Sequence, residues 1–136
     1  MIIPRYIIED IFEQAAQAAP VEACGYLAGA DGRVVSHYPM TNVDASPEHF
    51  TMDPKEQFDA HRSARDRGMR IIGVYHSHPA TPARPSDEDI RLAYDASVVY
   101  VIASLMDGGW TIRGFNISNG TATEEELIIE ESGNEQ

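Results

Sequence analysis

The stretch His76–Asp89 reads His-Ser-His-Pro-Ala-Thr-Pro-Ala-Arg-Pro-Ser-Asp-Glu-Asp. One residue separates His76 from His78, seven separate His78 from Ser86, and two separate Ser86 from Asp89. Two imidazoles and one carboxylate form a ligand set that a catalytic zinc ion takes in proteins, with water in the fourth tetrahedral position. The spacing therefore predicts a zinc site formed by His76, His78 and Asp89.

The residues around the two histidines predict how they are presented. Residues 70–75 are almost all apolar and predict a buried strand that carries His76 and His78 at its carboxyl end. Because alternate residues of an extended chain point to the same side, both imidazoles can reach one metal while Ser77 faces away. The proline-rich residues 79–85 predict a loop. An ordinary turn with two exposed histidines would explain the His-x-His pair, but not the carboxylate that follows.

Ser86 also begins a predicted helix that runs to about residue 95. Ser-x-x-Asp is close to a capping box, in which the serine accepts a hydrogen bond from the helix backbone and the acid suits the positive end of the helix dipole. Taken alone, Ser86 and Asp89 favour this structural role. Capping and metal binding are compatible, because a cap that fixes the start of the helix also directs Asp89 back toward the strand that holds the histidines.

A zinc site of this kind needs a base, and the best candidate is Glu22. It follows Pro20-Val21 and precedes the apolar, glycine-bearing residues 23–29. A carboxylate at the mouth of such a strand would be partly desolvated, and desolvation raises its pKa toward the range that suits general base catalysis. Considered without the downstream motif, Glu22 is more simply explained as an exposed loop residue.

The single cysteine and the other histidines do not indicate a second site. Cys24 is expected to be a small buried residue. A Cys-His protease built on Cys24 and His76 would leave the serine and the aspartate of the downstream motif unexplained. Three further histidines lack ligand spacing: His37, His49 and His61.

Hydrophobic periodicity predicts one α/β domain. Helices are expected at residues 5–19, 53–67 and 86–95, and strands at 25–29, 33–38, 70–75, 97–105, 110–117 and 121–129. Asp31-Gly32 suits the turn of a hairpin, and Asp53-Pro54 supplies the cap and first residue of a helix. Pro20 and Gly68 are helix stops. Residues 40–52 are expected to form a loop, and the acidic residues 131–136 to fray.

Composition limits the class of protein. The chain has 136 residues, enough for one domain, and 43% of them are hydrophobic, which predicts a folded globular protein. A net charge of −12 repels phosphate backbones and argues against nucleic-acid binding. No run approaches the roughly 18 apolar residues of a membrane span, and Glu9 and Asp10 do not suit a signal peptide. With one cysteine and no internal disulfide, the chain is expected in the cytoplasm.

These residues together resemble the JAMM (MPN+) metalloprotease family. Its signature is an upstream Glu, then His-x-His, seven residues, Ser, two residues and Asp, and every position is matched: Glu22, His76, His78, Ser86 and Asp89. Supporting similarity lies at residues 22–29 and 73–79 and from Ser46-Pro47 to Asp53-Pro54. The resemblance spans about residues 1–130. Where the family often has tryptophan before the aromatic-His-x-His segment, this chain has Val74, which bears on packing more than on chemistry.

The resemblance implies a role for each matching residue. His76, His78 and Asp89 would bind one Zn²⁺ per chain. Glu22 would act as general base and then as general acid, and Ser86 would hydrogen-bond the tetrahedral oxyanion. The reaction would be hydrolysis of a peptide or isopeptide bond.

The resemblance also implies a fold and a class of substrate. Residues 1–130 would form a curved mixed sheet flanked by helices, similar to cytidine deaminases. JAMM enzymes that cleave ubiquitin carry insertions for which 136 residues leave no room. The chain is more similar to small stand-alone prokaryotic members, some of which trim adducts from the C-terminal Gly-Gly of ubiquitin-like sulfur carriers. In similar proteins the loop that contains His49 flanks the active-site cleft, so His49 is a candidate substrate contact.

Two other interpretations stay open at this point. A metal-free scaffold, as in MPN domains that have lost the signature, is disfavoured because all five positions are present. A zinc-dependent deaminase would need His-x-Glu and Pro-Cys-x-x-Cys, which a chain with one cysteine does not contain. The sequence does not indicate an oligomeric state.

Overall fold

Strand β4, Arg70–His78, lies inside an eight-stranded mixed sheet and carries both histidines of the motif. The computed structural model describes residues 1–131, and all elements named here belong to that range. The other strands are β1 Ile2–Pro4, β2 Cys24–Ala30, β3 Arg33–Met40, β5 Val99–Ser104, β6 Thr111–Ser118, β7 Thr121–Glu125 and β8 Ile128–Glu130. The helices are α1 Arg5–Ala18, α2 Pro54–Asp66 and α3 Asp87–Arg91, with a short 3₁₀ helix at Met106–Gly108.

The sheet curls until its two edges approach one another. The strand order is β7-β6-β5-β4-β2-β3-β1-β8, so β7 and β8 lie at opposite edges although only residues 126–127 separate them in the chain. β4 and β5 are parallel, as are β1 and its two neighbours, and the other pairs are antiparallel. Where the edges meet, the ammonium of Met1 is 2.7 Å from a carboxylate oxygen of Glu125. The predicted α/β fold with a curved mixed sheet is confirmed.

The two faces of the sheet bury different helices. One face is covered by α1, which buries an apolar stripe: Ile7, Ile8, Ile11 and Ala15. The other face is covered by α2, which buries two alanines: Ala60 and Ala64. Tyr75 packs in the cluster under α1, and Val74 packs against the cluster under α2. Because side chains alternate along a strand, His76 and His78 share the α2 face with Val74.

A hairpin turn, a helix cap and a helix stop form as predicted. Asp31 and Gly32 have φ values of 54° and 75° in the turn between β2 and β3, which matches the positive φ of a hairpin turn. The Asp53 carboxylate accepts hydrogen bonds from the backbone N–H groups of Lys55 and Glu56 at 2.8 and 3.2 Å. Asp53 therefore caps α2, and the glycine two residues after the end of that helix has a φ of 75°.

Three features differ from the prediction. α3 ends at Arg91, not near residue 95, because the Asp95 carboxylate accepts hydrogen bonds from the N–H and hydroxyl of Ser97 and turns the chain into β5. The predicted strand 121–129 is split, because the chain leaves one sheet edge after β7 and joins the other as β8. β1 has no sequence signal, since three residues are too few to show a period of two.

The end of the chain is described only in part. Glu131, the first residue of the predicted frayed tail, pairs with Arg5, and the nearest nitrogen and oxygen are 2.5 Å apart. Residues 132–136 lie outside the described residues, so the frayed tail stays a prediction. Within residues 1–131, no helix combines the length and the apolar character that crossing a membrane requires.

Candidate active site and metal centre

Backbone contacts between β2 and β4 set the direction of the motif residues. The strands are antiparallel, with Cys24 opposite His76. One residue earlier, the Ala23 N–H donates to Ser77 Oγ over 2.8 Å, and the Ser77 N–H donates to the Ala23 carbonyl over 3.0 Å. Ser77 therefore faces away from the histidines, as predicted, and its hydroxyl binds the segment that begins at Glu22 to the strand.

The side chains of His76, His78 and Asp89 converge on one point. Nε2 of His76 is 3.1 Å from Nε2 of His78, and Oδ2 of Asp89 is 3.2 Å from the first nitrogen and 3.1 Å from the second. Ligand atoms about 2.0–2.1 Å from a zinc ion at tetrahedral angles lie about 3.3–3.4 Å apart. The triangle therefore has the size that a small metal ion requires, and the structure brings all three predicted ligands together.

The hydrogen bonds of the rings agree with a metal site. Nδ1 of His78 is 2.8 Å from the carbonyl oxygen of Pro82. A carbonyl only accepts hydrogen bonds, so Nδ1 carries the hydrogen and Nε2 of the neutral ring presents a lone pair. That lone pair faces a second imidazole nitrogen and a carboxylate oxygen, an arrangement that a shared cation stabilises. Backbone carbonyls commonly orient metal-binding histidines in this way.

Burial and hydrogen bonding shift the pKa values of the three groups in different directions. Burial alone would raise the pKa of Asp89, but hydrogen bonds with both histidines hold it well below its usual range. Burial lowers the pKa of His76, which favours the neutral ring that binds metal. For His78 the effect of burial is outweighed by the hydrogen bonds to Asp89 and to the Pro82 carbonyl, so its pKa is raised.

A capping box orients the carboxylate of Asp89. The Asp89 N–H donates to Ser86 Oγ over 2.9 Å, and the Ser86 N–H donates to Asp89 Oδ2 over 2.9 Å. Oδ2 is the same oxygen that faces both histidines, so helix capping and metal binding are compatible in one geometry. Because Ser86 Oγ accepts a hydrogen bond here, its own hydrogen stays available, and it has no acceptor among residues 1–131.

Glu22 is buried, with 3% of its surface exposed, so the alternative of an exposed loop residue is wrong. Burial raises the pKa of Glu22 to about 8, and the charges of His78 and Asp89 lower and raise it respectively. Its Oε1 has no hydrogen-bond partner in the described part of the chain. A buried carboxylate that has an oxygen without a hydrogen-bond partner and interacts with the candidate metal ligands has the environment expected of a general base.

Cys24 takes no part in this chemistry. The side chain is fully buried, and its Sγ is 3.8 Å from the carbonyl oxygen of Met40. Burial raises the pKa of the thiol to about 12, so it stays protonated at neutral pH and is a poor nucleophile. The expectation of a small buried residue is confirmed, and the alternative of a Cys-His protease is wrong.

A cavity of about 450 Å³ adjoins the candidate metal-binding group. Its lining combines His76 and Asp89 with aromatic and aliphatic side chains, among them Tyr26, Phe50, Val74 and Tyr100. The ring of Phe50 stacks on the ring of His76 with 4.7 Å between their centroids. Val74, at the position where the family often has tryptophan, is part of this lining.

The three histidines outside the motif do not join the metal-binding group. His49 lines the cavity, and its Nδ1 is 3.1 Å from Asp44 Oδ2, so a contact with substrate stays a prediction. Nε2 of His37 is 3.7 Å from a carboxylate oxygen of Asp10. His61 packs edge-on against a tyrosine ring, with 5.1 Å between centroids.

Two residues beside the site have no motif signal, namely Asn42 and Phe50. Asn42 donates a hydrogen bond to the carbonyl of Glu22 over 3.1 Å, and Phe50 stacks on His76. Both belong to the predicted loop 40–52, which is confirmed from residue 41 onward, since Met40 is the last residue of β3. Their contacts join residues far apart in the chain, and a lone asparagine or phenylalanine in a loop carries no spacing that would reveal them.

A model for prokaryotic homologues of the JAB domain matches residues 4–116. This chain belongs to that family. The resemblance to JAMM (MPN+) proteins is thereby confirmed, and it covers the whole site from Glu22 to Asp89. As a member, the chain has the fold of the family as well as its motif.

Characterised relatives are similar over most of their length. The chain is 35% identical over 134 residues to a CysO-cysteine peptidase of Mycobacterium tuberculosis, covering 96% of this chain and 92% of that protein. It is 32% identical over 104 residues to a desampylase of Pyrococcus furiosus, covering 76% and 74%. A solution structure of a Desulfitobacterium hafniense protein superposes with a TM-score of 0.88 at 46% identity, covering 97% and 94%. The prediction of a hydrolase is confirmed.

Proposed function

We propose that this chain is a zinc-dependent hydrolase of peptide or isopeptide bonds, with His76, His78 and Asp89 as the zinc ligands. One observation carries the proposal: three ligand atoms lie 3.1–3.2 Å apart, and the charges of two of these residues, His78 and Asp89, act on the buried Glu22 carboxylate. Two imidazole nitrogens and a carboxylate oxygen are ligands that zinc accepts, and three protein ligands are typical of catalytic sites. When bound there, zinc polarises the scissile carbonyl and lowers the pKa of a coordinated water to about 7.

In this proposal Glu22 moves the proton. Burial raises the pKa of Glu22, so its carboxylate is a stronger base than that of an ordinary glutamate and holds the proton more readily after taking it. Efficient proton transfer requires a catalytic pKa near the working pH. Glu22 would accept a proton from the attacking water and return it to the leaving amine, and its burial excludes competing solvent.

Ser86 is proposed to stabilise the developing oxyanion. Its Oγ accepts the N–H of Asp89, which leaves the hydroxyl hydrogen free to donate. A donor fixed by a helix cap needs little reorganisation when charge develops, which is the property that makes such donors effective. The same carboxylate that Ser86 helps to orient is a metal ligand, so the donor stays at a constant position relative to the metal site.

We further propose that the substrate is a ubiquitin-like sulfur-carrier protein that ends in Gly-Gly. The family resemblance and the relative named CysO-cysteine peptidase support this class of substrate. A cavity of about 450 Å³ beside the ligands gives room for an extended tail. Glycines allow the backbone to approach the metal-binding residues closely, where a side chain would clash.

The proposed location is the cytoplasm, supported by the lack of an internal disulfide, and cell fractionation tests it.

The proposed chemistry is tested by measuring zinc content and hydrolysis on one set of variants. We expect one zinc per chain, lost in His76→Ala, His78→Ala and Asp89→Ala, because each removes a ligand. Glu22→Gln should keep zinc and lose about 10²- to 10⁴-fold in turnover, since an amide keeps the shape but accepts no proton. The proposal is contradicted if the wild-type protein has no zinc site that depends on these residues. It is also contradicted if Glu22→Gln keeps near-normal turnover.

The proposed substrate is tested with two versions of one carrier protein. The first carries one extra residue after Gly-Gly, and the second carries the same extension after Gly-Ala. We expect the Gly-Gly carrier to be cleaved directly after its second glycine. The Gly-Ala carrier should be cleaved at least about tenfold more slowly, which corresponds to about 1.4 kcal/mol in activation free energy. Equal cleavage of both, or a preference for unrelated short peptides, would leave a zinc peptidase and end the carrier assignment.

A further inference from the structure

Asn42 uses every hydrogen-bonding group of its side chain next to the proposed general base. Its Nδ2 donates to the carbonyl of Glu22 over 3.1 Å and to the carbonyl of His49 over 3.0 Å. Its Oδ1 accepts from the N–H groups of Asp44 at 3.1 Å and Thr51 at 3.2 Å. A primary amide has two N–H hydrogens and an oxygen with two lone pairs, so Asn42 is saturated.

These bonds make the loop at residues 42–51 a support for Glu22. The carbonyl of Glu22 is held by Asn42, and its N–H donates to the carbonyl of Ser46 over 2.9 Å. Glu22 precedes β2 and has no ladder partner of its own. Both main-chain polar groups of the proposed base are therefore bound by one loop, which is folded around a single amide side chain.

The same loop also holds one wall of the metal site. Phe50 stacks on His76 with 4.7 Å between ring centroids, and the preceding residue, His49, offers its carbonyl to Asn42. A shift of this loop would move the base and the aromatic wall together. In catalytic sites a misplacement of about 1 Å can cost about 10²-fold in rate.

We propose that Asn42 is a positioning residue, which holds the Glu22 carboxylate and the Phe50 wall in register with the three metal-binding side chains. The inference rests on the proposed role of Glu22 and adds a residue that the metal-binding motif does not contain. All four hydrogen bonds of the Asn42 side chain go to backbone groups, so it acts through the backbone of Glu22 and of the loop. In this proposal Asn42 sets the position of Glu22, and the carboxylate of Glu22 performs the proton transfer.

The test uses two variants of Asn42 and one control from the same loop. Asn42→Asp keeps both acceptor bonds and loses both donor bonds, whereas Asn42→Ala loses all four without adding charge. Thr51→Val is the control, because it removes the 2.6 Å bond from Thr51 Oγ1 to Asp44 without touching Glu22. The probe substrate is a sulfur-carrier protein with one residue added after Gly-Gly, and zinc content is measured for each variant.

We expect kcat to fall at least tenfold in both Asn42 variants, while KM and zinc content stay within threefold of wild type. Amide hydrogen exchange of Glu22 should become at least tenfold faster in both, because the loop that accepts its N–H loosens. Thr51→Val should stay within threefold in every measurement. The exchange experiment needs no substrate, so it decides on positioning even where cleavage of the probe is slow.

Glu22→Gln, measured alongside, separates the two hypotheses. If Glu22→Gln keeps near-normal turnover, Glu22 is not the general base, and Asn42 has no base to position. If Glu22→Gln is inactive but the Asn42 variants keep normal kcat per zinc-loaded molecule and normal Glu22 exchange, only the inference about Asn42 is overturned. An equal loss of kcat in Thr51→Val also overturns it, since any loosening of the loop would then suffice.

Discussion

The backbone of Ser86 and two histidine rings surround one carboxylate oxygen of Asp89. Its Oδ2 accepts the N–H of Ser86 at 2.9 Å and faces the Nε2 atoms of both histidines at 3.1 and 3.2 Å. The second bond of the capping box, from the Asp89 N–H to Ser86 Oγ, fixes the helix start. Removing the serine hydroxyl therefore breaks only the second bond, and the backbone N–H continues to hold the carboxylate.

This asymmetry makes Ser86→Ala a clean test of the two roles of the serine. We expect a stability loss of about 1 kcal/mol from the weakened cap, unchanged zinc content, and a fall in turnover of about 10²- to 10³-fold from the lost oxyanion donor. Thermal unfolding, metal analysis and rates per zinc-loaded molecule measure the three quantities.

Ser86→Thr is the matched control, because threonine keeps a hydroxyl that can cap and donate. Its turnover should lie well above that of Ser86→Ala. If Ser86→Ala loses stability but keeps its rate per zinc-loaded molecule, the serine acts only as a helix cap.

At the scale of elements, β2 needs a glycine at the position where the ring of Tyr75 packs against its backbone. Gly25 lies opposite Tyr75 in the antiparallel pair of β2 and β4. The Tyr75 hydroxyl donates to Gln14 Oε1 on α1 over 2.6 Å, so its ring is fixed at both ends. A Cβ added at position 25 would lie 2.4 Å from atoms of this ring. The glycine thus allows the tyrosine to join the strand to the helix.

Gly25→Ala should therefore destabilise the protein by about 1–3 kcal/mol or more, because a fully packed core cannot move the ring away without strain. Denaturant unfolding measures the change. Gly109→Ala is the control, since a Cβ there meets nothing within 4 Å, and it should stay within about 0.5 kcal/mol of wild type. Similar losses in both variants would show that Tyr75 does not constrain position 25.

Sequence predicts most of the elements and the grouping of the three candidate metal ligands because their signals are local. His76, His78 and Asp89 lie within one strand, loop and helix, so their spacing alone places them together. The apolar residues after Glu22 indicate partial desolvation, but its nearly complete burial and the bonds of Asn42 depend on chain segments that meet only in the fold. For the same reason the split between β7 and β8 has no signal, since it follows from the curl of the sheet.

At the scale of the whole molecule, the candidate metal-binding group connects a short helix, α3, to the sheet. α3 has five residues, none of which is fully buried, and its main apolar contact is Ile90, which is partly buried against the cluster of Ala83, Ile102, Phe115 and Ile117. Its Asp89 carboxylate reaches the histidines of β4 across the loop at residues 79–85. A metal bound at this point would connect α3 to the sheet, and its removal should loosen α3 before it loosens β4.

We therefore expect zinc to stabilise the chain in a way that depends on its ligands and is strongest at α3. A ligand that binds only the folded state adds about 2.7 kcal/mol at 100 times its Kd, which for a chain of this size raises Tm by about 5–15 °C. Chelation should reverse the shift, and His78→Ala should not respond to zinc. In hydrogen exchange, the amides of Ile90 and Leu92, which donate to the carbonyls of Ser86 and Glu88, should gain the most protection on zinc binding. An equal rise of Tm in His78→Ala would mean that zinc binds elsewhere. Protection spread evenly over β4 and α3 would mean that α3 is held by the protein alone.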